Sequence, residues 1–158
     1  MIKLSLKILA IIFLFIFQIT IFNKLVIFGS VPNLIFILSI AFLLKNRFND
    51  ALIVAIGGGL LLDLVSPLSF GVYTILFLGI LFILNFVILR MLPAPNLLWL
   101  YIIFSGAFLL IDLLILLFVR VWPSWMIVAN VLINGLWGIL VYLFLVRLVK
   151  PMEEIKIE

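Results

Sequence analysis

Residues 51–70 read ALIVAIGGGLLLDLVSPLSF and carry the densest structural signal in the chain. Small residues recur at every fourth position, at Ala51, Ala55 and Gly59, and the series ends at Asp63. Positions four apart share one face of an α-helix, so the pattern predicts a small-residue stripe that ends in a carboxyl group. Such a stripe lets helix backbones approach closely, and we expect it to pack against a helix of the same bundle or of a partner.

The composition of the whole chain places this segment in a membrane protein. Of 158 residues, 69% are hydrophobic and only 10% are charged, and the mean hydropathy is +1.59. Soluble domains are typically about 45–50% apolar and about 25% charged. Because too few polar residues exist to cover a globule of this size, we expect one all-α transmembrane domain over residues 1–158.

Six apolar segments are candidates for transmembrane helices, which need roughly 20 residues each. They are 8–22, 32–44, 51–66, 70–89, 97–119 and 124–146. The second and third are short and need interfacial flanks or a locally thin bilayer. Lys3 and Lys7 precede the first segment as they would in a signal peptide, but no small-residue cleavage site follows it directly, so we expect a retained span.

The distribution of basic residues predicts the orientation of the six spans. One side would carry eight of them: Lys3, Lys7, Lys45, Arg47, Arg90, Arg147, Lys150 and Lys156. The other side would carry Lys24 and Arg120. Since the side richer in Lys and Arg is normally cytoplasmic, we expect both termini in the cytoplasm. Merging the third and fourth segments into one span would move Arg90 outside and weaken the asymmetry.

The residue inventory excludes several function classes. The chain has no histidine and no cysteine, which removes thiol nucleophiles, imidazole bases, the usual zinc sites and disulfides. The Gly57–Gly59 run lies in an apolar helix with no following Gly-Lys, so it is not a phosphate-binding loop. The net charge of +4 comes from basic residues scattered between apolar runs. We expect no cofactor, no metal and no nucleic-acid partner.

Polar residues inside the predicted spans gather in the outer half of the bilayer. At about 1.5 Å of rise per residue, Gln18, Asp63, Asp112 and Asn130 share that half, while Asn134 lies deeper or toward the cytoplasm. An ionisable residue at the centre of a span costs roughly 2.5–3.5 kcal/mol, so it normally faces protein or water. The asparagines either hydrogen-bond across a helix interface or belong to a binding site.

Asp63 and Asp112 each allow more than one interpretation. Asp63 either takes part in partner binding or accepts hydrogen bonds from free backbone N–H groups of the turn that begins Ser66-Pro67. Two intramembrane aspartates also suit a protease or a proton-coupled transporter. No recognisable active-site motif surrounds either residue, so the sequence favours a non-enzymatic function.

A series of motifs over residues 32–71 resembles a known family of membrane proteins. In chain order these are Pro32-Asn33 at the start of a short span, a basic break at Lys45 and Arg47, the run Gly59–Pro67, and Phe70-Gly71 at the start of the next span. Together they resemble the rod shape-determining protein MreD family, as do the length and the predicted topology. One departure is Asn33, where the family often has aspartate.

The resemblance implies a non-enzymatic scaffold in the cytoplasmic (inner) membrane of rod-shaped bacteria, in contact with lipid. It further implies binding to the bitopic protein MreC and cooperation with MreB, RodA and a class B penicillin-binding protein in lateral peptidoglycan synthesis. In this interpretation Asp63 and the turn Ser66–Ser69 form an outward-facing docking surface.

The same family is similar in fold to the substrate-binding S components of energy-coupling-factor vitamin transporters, which gives the alternative function. An outer-half polar cluster suits a vitamin pocket. Against this alternative, S components often carry an Ala-x-x-x-Ala motif in the first span, whereas Ala10 is followed four positions on by Leu14. The cluster is also sparse for a tight site, which needs several convergent polar groups.

Overall fold

All six predicted apolar segments form helices in the computed structural model. It describes residues 2–24, 26–91, 96–119 and 125–148, with side chains at 5–24, 26–88, 96–117 and 125–148. The helices are α1 (Ile2–Thr20), α2 (Leu34–Leu44), α3 (Phe48–Val65), α4 (Val72–Met91), α5 (Leu97–Val119) and α6 (Trp125–Leu148), with a short 3-10 turn at Phe22–Lys24. No strand occurs in these ranges, and the all-α prediction is confirmed.

Four of these helices are long and apolar enough to cross a membrane. They include Ser5–Lys24, Phe48–Val65, Leu97–Leu117 and Trp125–Leu148. The stretches Leu34–Leu44 and Val72–Ile88 are shorter apolar helices. Five basic residues used to predict the orientation have side chains outside the described residues: Lys3, Arg90, Arg120, Lys150 and Lys156. Ser124 of the sixth predicted segment also lies outside them. Six spans with cytoplasmic termini remain a prediction.

Helix α2 lies at the centre of the bundle, in contact with α1, α3, α4 and α6. Its side chains Ile35, Phe36, Ile37 and Ile40 are completely buried. At 11 residues it is about 16 Å long, roughly half the thickness of a bilayer's hydrocarbon core. Non-helical backbone at membrane depth requires burial in protein, so both ends of α2 need hydrogen-bond partners from neighbouring helices.

Three consecutive glycines of α3 face three different helices. Successive residues of a helix point about 100° apart, so Gly57, Gly58 and Gly59 each meet a separate neighbour. A Cβ atom at these positions would lie, in order, 3.3 Å from Ile11 of α1, in steric overlap with Ile35 of α2 and 2.9 Å from the Thr74 backbone of α4. The glycine run therefore lets α3 sit among three neighbours at close range.

The predicted small-residue stripe packs inside the bundle. Ala51 and Ala55 are completely buried, and Gly59 is buried against the first turn of α4. Of the two alternatives for the stripe, packing within the same chain is the one observed. The face is covered and is not open to a partner helix.

The chain direction alternates from helix to helix between two ends of the bundle. We call the end with Lys7, Lys45 and Arg47 the basic end. We call the opposite end, with Gln18, Ser30, Ser66 and Asn130, the polar end. Ring contacts between Phe48 and Phe82 at 5.5 Å show that α3 and α4 form an antiparallel hairpin. Asp112 meets Asn130, so α5 reaches the polar end where α6 begins. Ile2 and Leu148 thus lie toward the same end.

Candidate docking turn and polar network

Asp63 caps the neighbouring helix α4. It is only 4% exposed. Its Oδ1 accepts the backbone N–H of Tyr73 at 2.8 Å, and its Oδ2 accepts the N–H of Thr74 at 3.2 Å and the Thr74 hydroxyl at 2.6 Å. The first N–H groups of a helix have no partner within it, and the carboxylate satisfies two of them. These donors belong to α4, whereas the sequence suggested donors from the Ser66-Pro67 turn.

The connection between α3 and α4 is held by short-range interactions. Ser66 ends α3, and its Oγ accepts the backbone N–H of Leu68 at 3.0 Å. Gly71 adopts a φ of +95°, a left-handed conformation that side chains disfavour, and open space surrounds the position of its missing Cβ. Glycine is favoured there because of the backbone conformation, and not because a side chain would collide with a neighbour. Ser66 holds the α3 end of the connection, and Asp63 holds the α4 end through its hydrogen bonds to Tyr73 and Thr74.

Exposed apolar side chains surround this connection, residues 64–70, which we call the docking turn. Leu64, Val65 and Phe70 are 68%, 58% and 66% exposed, and Pro67 is exposed as well. Asp63 itself is buried and its oxygens are occupied, so it positions the docking turn and does not contribute to its surface. A pre-ordered surface of this kind loses little conformational entropy when it binds a partner.

Asn33 is the N-cap of α2. Its Oδ1 accepts the backbone N–H of Phe36 at 3.1 Å. Asparagine and aspartate both serve well at this position because each offers a side-chain oxygen three residues before the N–H that it accepts. Asn33 therefore fills this capping position as well as an aspartate would.

Side chains from α1 and α6 satisfy the backbone just before α2. Gln18 of α1 donates through Nε2 to the Pro32 carbonyl at 2.7 Å and accepts the N–H of Leu34 through Oε1 at 2.9 Å. Asn134 of α6 accepts the N–H of Asn33 through Oδ1 at 2.9 Å. Both Gln18 and Asn134 are buried. Their amides replace the water that an exposed loop would use, which explains why polar side chains occur inside this apolar bundle.

A chain of hydrogen bonds continues from Asn134 to Asp112. Asn134 Nδ2 donates to the Oδ1 of Asn130 at 2.7 Å, and Ser30 Oγ donates to the same oxygen at 2.7 Å. Asn130 Nδ2 donates to both carboxylate oxygens of Asp112, at 3.0 and 2.8 Å. Asn134 is completely buried one helical turn after Asn130, farther from the polar end, and it belongs to the same network.

Two open clefts flank the backbone before α2 at the polar end. One, of about 210 Å³, is lined by Ser30, Asp112 and Asn130 together with apolar neighbours. The other, of about 240 Å³, is lined by residues including Gln18, Asn33, Ser66, Pro67 and Tyr73. The amide groups of Gln18 and Asn130 are already engaged in internal hydrogen bonds. Among the described residues that line the two clefts, Asp112 is the one acidic or basic side chain, and it lines only the first cleft.

Asp63 and Asp112 have different hydrogen-bond partners, in α4 and in α6. No hydrogen bond among the described residues joins the two carboxyl groups to each other. In the same part of the chain, no group of three acidic, histidine or cysteine residues is arranged to hold a metal ion.

The sequence interpretation missed an ion cluster at the basic end. Asp50 accepts from Lys7 Nζ at 2.5 Å and pairs with Arg47 Nε at 2.6 Å. From the sequence alone, Lys7 and Arg47 contribute only to the predicted orientation. A carboxylate three residues after an arginine, in the break between the second and third predicted segments and on the side predicted for Lys7, is the signal that could have found the cluster.

Ser30 and Thr74 were also missed. Neither is distinctive in sequence, because each gains its hydrogen-bond role only when distant helices meet.

Comparisons with models of known protein families, with curated proteins and with solved structures found no match. The functional argument therefore rests on the motifs and on the geometry described above.

Proposed function

We propose that this protein is a non-enzymatic scaffold subunit of the bacterial cell-elongation machinery. In this proposal it lies in the cytoplasmic membrane, binds MreC and works with MreB, RodA and a class B penicillin-binding protein to maintain rod shape. The proposal starts from the sequence resemblance to the MreD family over residues 32–71. That region forms the central helix α2, the glycine-bearing helix α3 and the docking turn.

The docking turn is the observation that carries the proposal. Asp63 and Ser66 hold residues 64–70 in place, and Leu64, Val65 and Phe70 remain exposed around Pro67. Stable interfaces centre on buried apolar and aromatic anchors presented by ordered segments. In the predicted orientation this surface lies at the outer face of the membrane, where we propose that it contacts MreC.

Replacing the exposed aromatic anchor tests this assignment. We expect Phe70→Ser to reduce the recovery of MreC by at least about tenfold when the tagged protein is purified from its native host in mild detergent, because truncating an interfacial aromatic anchor costs about 2 kcal/mol or more. Cells carrying this variant should lose rod shape. Protein abundance should stay normal, since Phe70 is 66% exposed.

Phe28→Ser is the matched control. Phe28 is 75% exposed in the loop at the same end of the bundle and lies outside the docking turn. It should leave MreC recovery and cell shape unchanged. Normal recovery and normal rods with Phe70→Ser would contradict the assignment of the docking turn.

The S-component alternative is favoured by one observation, the Asp112 carboxylate beside an open cleft. The same purification separates the two functions. Recovery of a transporter T component with paired ATPases, in place of MreC, would overturn the scaffold proposal and make the clefts at the polar end a ligand site.

A further inference from the structure

The turn between α2 and α3 sets the position of Arg47 at the basic end. Asn46 adopts a φ of +57°, its N–H donates to the Leu43 carbonyl at 3.0 Å, and the Arg47 N–H donates to the Phe42 carbonyl at 3.0 Å. This pair of bonds is a Schellman motif, which ends α2 in a defined geometry. The Arg47 guanidinium also lies 5.8 Å from the centre of the Phe42 ring, within the range of a cation–π contact.

Asp50 holds two cations side by side and leaves both with free donors. It pairs with Lys7 Nζ from α1 and with Arg47 Nε from the turn. An ammonium has three N–H groups and a guanidinium five, so most donors of both side chains stay available. The Lys7 side chain is 44% exposed and that of Arg47 is 27% exposed, and the cluster carries a net charge of one positive unit.

An apolar groove begins at these two cations. It has a volume of about 240 Å³ between α1, α2 and α3, and its lining joins the charged residues Lys7, Arg47 and Asp50 to apolar side chains that include Ala10, Leu38 and Ile53. A second open basin, of about 310 Å³, shares Lys7 and Arg47 and adds the amide side chains of Asn46 and Asn49. A polar basin with two cations is thus continuous with an apolar groove.

We propose that this groove binds an anionic phospholipid, with the phosphate at Lys7 and Arg47 and an acyl chain along Ala10, Leu38 and Ile53. The net positive charge of the cluster of Lys7, Asp50 and Arg47 and the apolar lining match the two halves of such a molecule. Basic pockets between transmembrane helices commonly recognise acidic lipid headgroups. Asp50 orients the two cations and disfavours a second anion in direct contact with it, which suits a monoanionic headgroup such as that of phosphatidylglycerol.

The test is native mass spectrometry of the full chain in neutral detergent, with equal amounts of phosphatidylglycerol and phosphatidylcholine of the same acyl composition. We expect the protein to retain phosphatidylglycerol preferentially. Lys7→Gln and Arg47→Gln should each lower this preference about fivefold, the contribution of one basic side chain near an anionic lipid. Each single variant leaves Asp50 paired with the other cation, so folding should persist, as circular dichroism will show.

Two further variants locate the site. Lys24→Gln removes an exposed cation at the polar end and should leave the preference unchanged. Ala10→Trp fills the groove without changing any charge and should reduce retention of phosphatidylglycerol. The proposal is overturned by equal retention of the two lipids, by a Lys24→Gln effect as large as that of Lys7→Gln, or by full retention in Ala10→Trp. Binding of inorganic phosphate as tight as that of phosphatidylglycerol would also overturn it, because the acyl chain would then contribute nothing.

Discussion

Asp63 shows how a buried carboxylate can be stabilised by hydrogen bonds when no described cation pairs with it. Its three hydrogen bonds come from Tyr73 and Thr74, all in the first turn of α4. We predict that Asp63→Leu lowers the free energy of unfolding by about 1–3 kcal/mol, because buried backbone donors of α4 lose their acceptor. Thermal unfolding of the purified protein in detergent, followed by circular dichroism, measures this loss.

Two milder variants should cause smaller losses of unfolding free energy at the same cap. Thr74→Val keeps the side-chain shape and removes only the 2.6 Å hydroxyl bond, so it should cost less than Asp63→Leu. Asp63→Asn keeps one acceptor oxygen, so its free energy of unfolding should lie between those of the unsubstituted protein and Asp63→Leu. An Asp63→Leu protein that unfolds at the unchanged temperature would show that the cap contributes no stability.

At the scale of one element, α3 depends on how closely it approaches its neighbours. A Cβ at Gly59 would lie 2.9 Å from the Thr74 Cα, which is backbone and cannot move aside. We predict that Gly59→Ala destabilises the protein by about 1–3 kcal/mol through overpacking. Gly79→Ala in α4 is the matched control, because nothing lies within 4 Å of its Cβ position, and it should be neutral or stabilising through better helix propensity.

The two glycine variants can be compared by unfolding in detergent under identical conditions. Equal stabilities would mean that α3 and α4 can separate at no cost. A loss confined to Gly59→Ala would show that the hairpin packs as closely as the geometry requires. Such a loss should also weaken the Asp63 cap, since Gly59 and Asp63 both meet the first turn of α4.

For the whole molecule, the sequence predicts the elements better than their packing. The segment 97–119 has the same bounds as α5, and 51–66 differs by a few residues from α3 (Phe48–Val65). A hydrogen bond of Asn134 across a helix interface is one of the predicted alternatives, but its partner at Asn33 and the ion pairs of Asp50 do not follow from the sequence. In a membrane the lipid-facing side of a helix is as apolar as its packed side, so apolar periodicity does not reveal which face meets a neighbour. Only small and polar residues carry that information, and their partners depend on distant helices.

Orientation is the whole-molecule prediction that links the other two proposals, and the absence of cysteine makes it simple to test. Single substitutions Ser69→Cys in the docking turn and Asn49→Cys at the basic end introduce unique thiols at exposed positions. With six spans and cytoplasmic termini, a membrane-impermeant maleimide should label Ser69→Cys in spheroplasts and Asn49→Cys only after lysis.

The reverse labelling pattern would show that the orientation in the membrane is opposite to the predicted one. The docking turn would then face the cytoplasm, and the lipid groove would open to the outer leaflet. A Ser69→Cys thiol that reacts from neither side would favour a single span built from the third and fourth segments. The close antiparallel approach of Gly59 to Thr74 argues against that span, because two helices that pack side by side in opposite directions need a turn between them at one membrane surface.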